Sequence, residues 1–288
     1  MKNKLKFLAL LLILPAVFVF AGCGQLDGDV RVNTGDDNRY QAVTAQAITD
    51  YVEDAAEEET DVLPSGAKMT VEFEAGEMAK GKVNVIFKTT EDADENVNIE
   101  LAVRADVNAK IGNANLKAKA DAFYKEDVLY VDANVSGDAE TNQMIAQMGI
   151  NGKHKVDLSE MGGLQALLGM AGTFIPVDEL PIANIAGLIE NFDISMLAQY
   201  IDGFGFDVSS YTDGDYTRFK LAVEDQETGD AITAYAVFVK GVLAGIKVDA
   251  KMTNEGVEMK VTLNVEAFEG NIDYPNFNDF ADFDADLM

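Results

Sequence analysis

The sequence predicts an α+β fold: a large curved antiparallel sheet, a half-barrel of about nine strands, with helices packed on its concave face. Three observations predict it. Long stretches alternate apolar and polar residues with a period of two. Short polar turns divide those stretches into hairpins and leave no room for crossover helices. The only sizeable apolar material outside them is one N-terminal helical pattern and a Leu- and Ile-rich segment between 137 and 215. Strands that each bury one face need a covering layer, and long strands coil because sheets twist.

In chain order, residues 1–22 come before that domain. Lys2, Lys4 and Lys6 precede a long apolar run and a small-residue exit, the pattern of a secretory signal peptide. Cys23 follows and is the chain's one cysteine, so no disulfide within the chain holds the fold. Residues 23–40 are polar, rich in Gly and Asp and without apolar periodicity, which predicts a flexible tether. Val43, Ala47, Ile48, Tyr51, Val52 and Ala55 recur at three- and four-residue spacing and predict an amphipathic helix over 41–57.

From Gly66 the period becomes two. Met69, Val71 and Phe73 alternate with Thr70, Glu72 and Glu74, and Val83, Val85 and Phe87 follow. The run from Val97 to Ile111 would span ~50 Å if extended. A turn at Gly112-Asn113 pairs Ile111 with Ala114, sets Arg104 opposite Asp121 and sets Asp106 opposite Lys119, and opposite charges support that register. A second hairpin is expected about Asn254-Glu255, with Met252 opposite Val257, Lys251 opposite Glu258 and Asp249 opposite Lys260. Residues 137–215 are expected to be a helical insertion, with helices about 144–148, 164–170, 181–192 and 196–201, before strands resume near Tyr216. A single domain thus covers 41–270. Residues 271–288 form an acidic, aromatic tail without clear periodicity, and no fixed-period internal repeat stands out.

The formal charge is −28, from 50 acidic against 22 basic residues. Such a surface repels nucleic acid and anionic lipid headgroups, so neither a nucleic-acid partner nor a peripheral basic membrane patch is expected. Enzyme chemistry has little to work with. His154 is the only histidine and reads as a surface position. There is no G-x-S-x-G and no His pair at metal spacing. No catalytic residue, metal or cofactor is assigned. Asp279, Asp282, Asp284 and Asp286 are loosely clustered, as are Asp207, Asp213 and Asp215. Both groups lack the pattern of an EF-hand loop and read as solvated acids.

Residues 20–23, Phe-Ala-Gly-Cys, resemble the lipobox of bacterial lipoproteins, with Phe20 where that family usually carries Leu. The resemblance implies cleavage before Cys23, acylation of its thiol and a lipid anchor on the extracytoplasmic face of the cell membrane. The order of lipobox, spacer, helix, long meander, helical insertion and returning meander resembles the lipid-carrier lipoproteins of the LolA and LppX/LprG type. The stretch FYKEDVLYVD, 123–132, is similar to a strand–turn–strand phrase of Gram-positive lipoproteins. That resemblance implies an apolar cavity for acyl chains between half-barrel and helices. Leu164, Leu167, Leu168, Phe174, Ile175, Leu188, Ile189, Phe192 and Leu197 are then either plain core or the cavity lining. Small inward residues such as Ala105, Ala109, Ala118 and Ala120 leave room beneath them. The expected function is non-catalytic binding of a lipid or other apolar ligand by a membrane-anchored protein. The alternative is a surface scaffold with a packed core that binds a partner protein through its acidic face or tail.

Overall fold

The computed structural model describes residues 26, 28–57, 66–91, 97–111, 114–159, 197–254 and 256–283. The strands are β1 (Gln41–Ala42), β2 (Gly66–Ala75), β3 (Ala79–Glu91), β4 (Val97–Ile111), β5 (Ala114–Lys125), β6 (Val128–Ser136), β7 (Gly152–Asp157), β8 (Asp207–Asp213), β9 (Tyr216–Glu224), β10 (Ala231–Val239), β11 (Val242–Asn254), β12 (Val257–Ala267) and β13 (Ala281–Asp282). The helices are α1 (Gln46–Glu57), α2 (Ala139–Met148) and α3 (Leu197–Phe204). All thirteen strands join one open, curved sheet in the order β1-β8-β9-β10-β11-β12-β2-β3-β4-β5-β6-β7-β13. The expectation of about nine strands is therefore too low. The two edge strands β1 and β13 lie in stretches without alternation, and β7 and β8 lie inside the segment read as a helical insertion. Every neighbouring pair is antiparallel except β13 with β7.

The β4–β5 register is the one its charges predict: Ile111 faces Ala114, Arg104 faces Asp121 and Asp106 faces Lys119. Arg104 grips Asp121 through two bonds of 2.7 and 2.8 Å, and Lys119 sits 2.8 Å from Asp106. The β11–β12 hairpin differs from expectation by two residues, pairing Asn254 with Val257 and placing Lys251 opposite Lys260. Its loop is only two residues long, and Gly256 within it has φ +82°. Glycine adopts that left-handed conformation without steric cost, so the tight turn wins over the looser loop. Glu258 compensates the facing lysines by bonding both, Lys251 at 3.0 Å and Lys260 at 2.7 Å. A shift of two preserves which face each side chain occupies, so the apolar pattern does not resist it.

α2 begins where Asp138 caps the Thr141 N–H at 2.9 Å and stops at Gly149, φ +61°, the usual physics of a polar N-cap and a left-handed terminator. α1 and α3 pack on one face of the sheet. Ala45, Ile48, Ala198 and Ile201 meet Phe219, Leu221, Ile232, Phe238, Leu263 and Val265 there, and all are buried. Tyr51 closes the contact, its ring edge-on to Phe219 and Phe238 at 5.4 and 5.1 Å.

The other face carries the polar half of each alternating strand, and on the central strands it is not solvated. Thr70, Asn84, Asn264, Arg218 and Lys68 on it are all buried. Residues 28–40, expected as a loose tether, run across this face as a strap. Residues 268–283 cross it the other way, and Leu26, Ile86, Ala102, Phe123, Phe268 and Ile272 form a second buried cluster beneath the two. The strap ends in β1 on the edge strand β8, and the tail ends in β13 on the edge strand β7. Both ends share one local design. A polar cap, Asp36 or Asn276, opens a single 3-10 turn that leads through an aromatic residue into the two-residue edge strand.

Candidate functional site

Successive registers place side chains in rows across the sheet, and two rows define its faces. On the helix-bearing face, Leu221, Ala234, Val248, Leu263, Val71, Val83, Ala105, Ala120 and Ala133 stand side by side from β9 to β6, with Gly152 of β7 next. The row shrinks from Leu and Val to Ala and finally Gly. Its first four members are buried and its last six are not. The neighbouring positions Val85, Val103, Val107, Leu116, Ala118, Ala122 and Val131 are likewise half-buried. The β8–β12 half of this face is sealed by α1 and α3, while the β3–β6 half stays partly accessible.

On the opposite face the row is polar: Ser209, Lys220, Tyr235, Lys247, Asn264, Thr70, Asn84, Arg104, Asp121, Asp132 and Lys153. It serves as the hydrogen-bond ladder of the strap. Val30 N–H donates to Thr70 Oγ1 at 2.8 Å, Val32 N–H to Asn264 Oδ1 at 3.4 Å, and Asn84 Nδ2 to the Leu26 carbonyl at 3.3 Å. Further along, Asp37 takes bonds from Tyr235 Oη at 3.2 Å and Lys220 Nζ at 3.3 Å. Arg218 donates to the Asn33 carbonyl at 3.0 Å, and its guanidinium lies between the rings of Tyr211 and Tyr216. Burial pushes the Tyr40 phenol beside this network up to about 12.

Where strap and tail converge there is a cleft of about 310 Å³, floored by Phe123, Tyr274 and Phe280 and rimmed by Arg104, Asp121, Asp132 and Asp273. Tyr130 stacks on Phe277 at 3.7 Å beside it. Burial first, and the charge of Glu100 second, raise the Tyr274 phenol above its ordinary value.

The sequence-predicted residues distribute unevenly over this frame. Cys23, Leu164, Leu167, Leu168, Phe174, Ile175, Leu188, Ile189 and Phe192 lie outside the described residues. Leu197 opens α3, whose Ala198 and Ile201 are core. His154 sits in β7 with its ring edge-on to Phe283 at 5.4 Å. Four of the clustered aspartates are engaged by cations: Asp213 by Arg39 at 3.5 Å, Asp215 by Lys240 at 3.6 Å, Asp279 by Lys153 at 3.9 Å and Asp282 by Lys155 at 3.3 Å. Asp207 is an exposed residue of β8, and Asp284 and Asp286 lie outside the described residues. Among the described residues no group of three acids, His or Cys is placed to hold a metal ion. The aromatic residues of the tail are occupied by the chain's own sheet. Sequence reasoning missed the polar row because its members look like the solvated side of an ordinary amphipathic strand; Leu26, Val30 and Val32, apolar within a polar stretch, were the signal of a packed strap.

No protein-family model matches the chain, and no curated protein matches it. Among solved structures it is similar to a beta-barrel-like protein of the domain of unknown function DUF1849 from Brucella abortus. That likeness has 8% identity over 72% of this chain and 100% of the other, with a TM-score of 0.24. So loose a likeness carries no argument about function.

Proposed function

We propose that this is a membrane-anchored lipoprotein of the extracytoplasmic face that binds a lipid or other apolar ligand without catalysing a reaction. The observation that carries the binding half of the reading is the helix-bearing row that dwindles to Ala105, Ala120, Ala133 and Gly152. Small side chains on a broad apolar surface that remains half-buried leave volume over the sheet, and an apolar ligand gains free energy by filling it. The segment holding Leu164–Phe192 in sequence remains the candidate cover. The anchoring half rests on the leader and on Cys23 at the end of the lipobox-like sequence.

The test is native mass spectrometry with organic extraction of residues 24–288, purified from bacterial cells without detergent. Co-purifying masses in the lipid range are expected, and Ala120→Asp, which places a carboxylate in the middle of the open half, should lower retention at least tenfold. A clean apo mass, with no uptake of fatty acid or phospholipid on incubation, would refute the ligand-binding reading.

A further inference from the structure

We infer that the strap face of β3–β5 is the surface this protein lays against the bilayer, where it meets anionic lipid headgroups. The inference rests on the proposed acylation of Cys23 and adds to it an orientation. Two observations carry it.

The first is the absence of slack. Leu26 is buried in the cluster over β3–β5, and its carbonyl is held by Asn84. Cys23 lies three residues upstream. Three residues reach about 11 Å when fully extended, so an acyl group on Cys23 leaves the molecule within about that distance of β3 on this face. A free tether would let the domain tumble; a strap bonded to Thr70 and Asn264 fixes its pose.

The second is a set of exposed lysines left over when the other charges of this face pair. Every lysine and arginine of β2–β7 falls on the strap face in register, together with Glu72, Glu74, Glu100, Asp106, Asp121, Asp132 and Asp157. Lys82, Arg104, Lys119 and Lys125 are paired with acids of that set. Within β3–β5, Lys80, Lys110 and Lys117 are exposed, and none forms an ion pair with another described residue. Lys80, Asn108, Lys117 and Ser136 form one row, with Glu74 flanking Lys80, and Lys110 faces Asn115. This row lies two pleats from Asn84, about 13 Å along the strand. Lysines spaced so near an acyl anchor suit the negative headgroups of a bilayer. The apolar helix-bearing face then points away from the membrane.

The experiment uses the full chain, lipidated by a bacterial host and reconstituted in vesicles containing anionic lipid. With Cys23 acylated, an introduced cysteine alone takes a fluorophore, placed at Asn115 on the strap face or at Glu53 on α1. A nitroxide on the lipid headgroups should quench the label at 115 several-fold more than the label at 53. Changing Lys80, Lys110 and Lys117 together to Glu should erase that difference while the vesicle-bound fraction stays the same. Equal quenching at both sites, or stronger quenching at 53, overturns the orientation while leaving the anchor standing. If the chain fails to float with vesicles, and Cys23→Ala behaves as the parent does, the anchor itself is refuted and the orientation with it.

Discussion

Thr70 accepts a hydrogen bond from the Val30 N–H and donates one to Asn84 Oδ1, each at 2.8 Å, while it is 2% exposed. Replacing it with Val keeps the shape but strands a buried N–H and a buried amide oxygen, a loss of about 1–3 kcal/mol. Urea unfolding of Thr70→Val should show that loss, and an unchanged midpoint would mean that the strap adds nothing to stability. Asp29 gives the strap a pH dependence. The hydrogen bond from Lys82, 2.7 Å long, is the main cause that holds its carboxyl below 3.8. A carboxylate depressed in the folded state stabilises fully above its unfolded value and loses that contribution as pH falls through the folded one. The difference in unfolding midpoint between the parent and Asp29→Asn should therefore be constant above about pH 5 and vanish on further acidification. A difference that grew in acid would contradict the pairing.

At the scale of elements, the tail behaves as part of the core. Phe280 is 5% exposed and lies edge-on to Tyr130 at 5.5 Å. Phe280→Ala should cost about 3 kcal/mol, read from thermal or chemical unfolding, and wild-type stability would return the tail to a loose appendage. Gly245 shows how the strap is accommodated: a Cβ there would stand 3.1 Å from a Val32 methyl and 3.1 Å from the Val265 carbonyl. Gly245→Val should lift the strap locally and make the bonds around residues 31–33 sensitive to protease, whereas the buried core cluster under α1 stays protected. The elements were unequally legible. Alternation with opposite charges in β4 and β5 fixes one register among many, because a slip would face like charges. In β11 and β12 the same logic favours pairing Lys251 with Glu258, yet the short turn at Gly256 outweighs it and Glu258 bonds diagonally.

For the whole molecule, the organising fact is a two-faced sheet whose faces are closed by different means. Helices α1 and α3 seal one half of the apolar face, and the chain's two ends cover the polar face and cap both edges. Capping matters because an exposed edge is a template for unwanted pairing. The partly open remainder of the apolar face is where ligand binding is expected, and binding to the folded state alone must raise stability. A long-chain fatty acid at 100 times its dissociation constant should add about 2.7 kcal/mol, visible as a rise in Tm. That rise should be absent in Ala120→Asp, and a parent protein whose Tm ignores apolar ligands would favour a fully packed interior.

What the sequence by itself determined is what depends on neighbours along the chain: strand periodicity, the β4–β5 register, and the presence of helices within 41–57 and about 144–148 and 196–201, which the structure extends or trims to Gln46–Glu57, Ala139–Met148 and Leu197–Phe204. Each follows from local spacing and from charges that must face one another. What only the tertiary structure decided is what depends on distant partners. Whether a polar residue such as Asn84 or Asn264 is wet or buried is set by a segment more than fifty residues away, here the strap. Strands β7, β8, β1 and β13 are strands because a waiting edge supplies their hydrogen bonds, not because their own residues alternate. Net charge, too, is a sum that carries no position: alternation places the charges of these strands on the polar face, but which lysines there stay without an ion pair emerged only when the sheet brought the rows together.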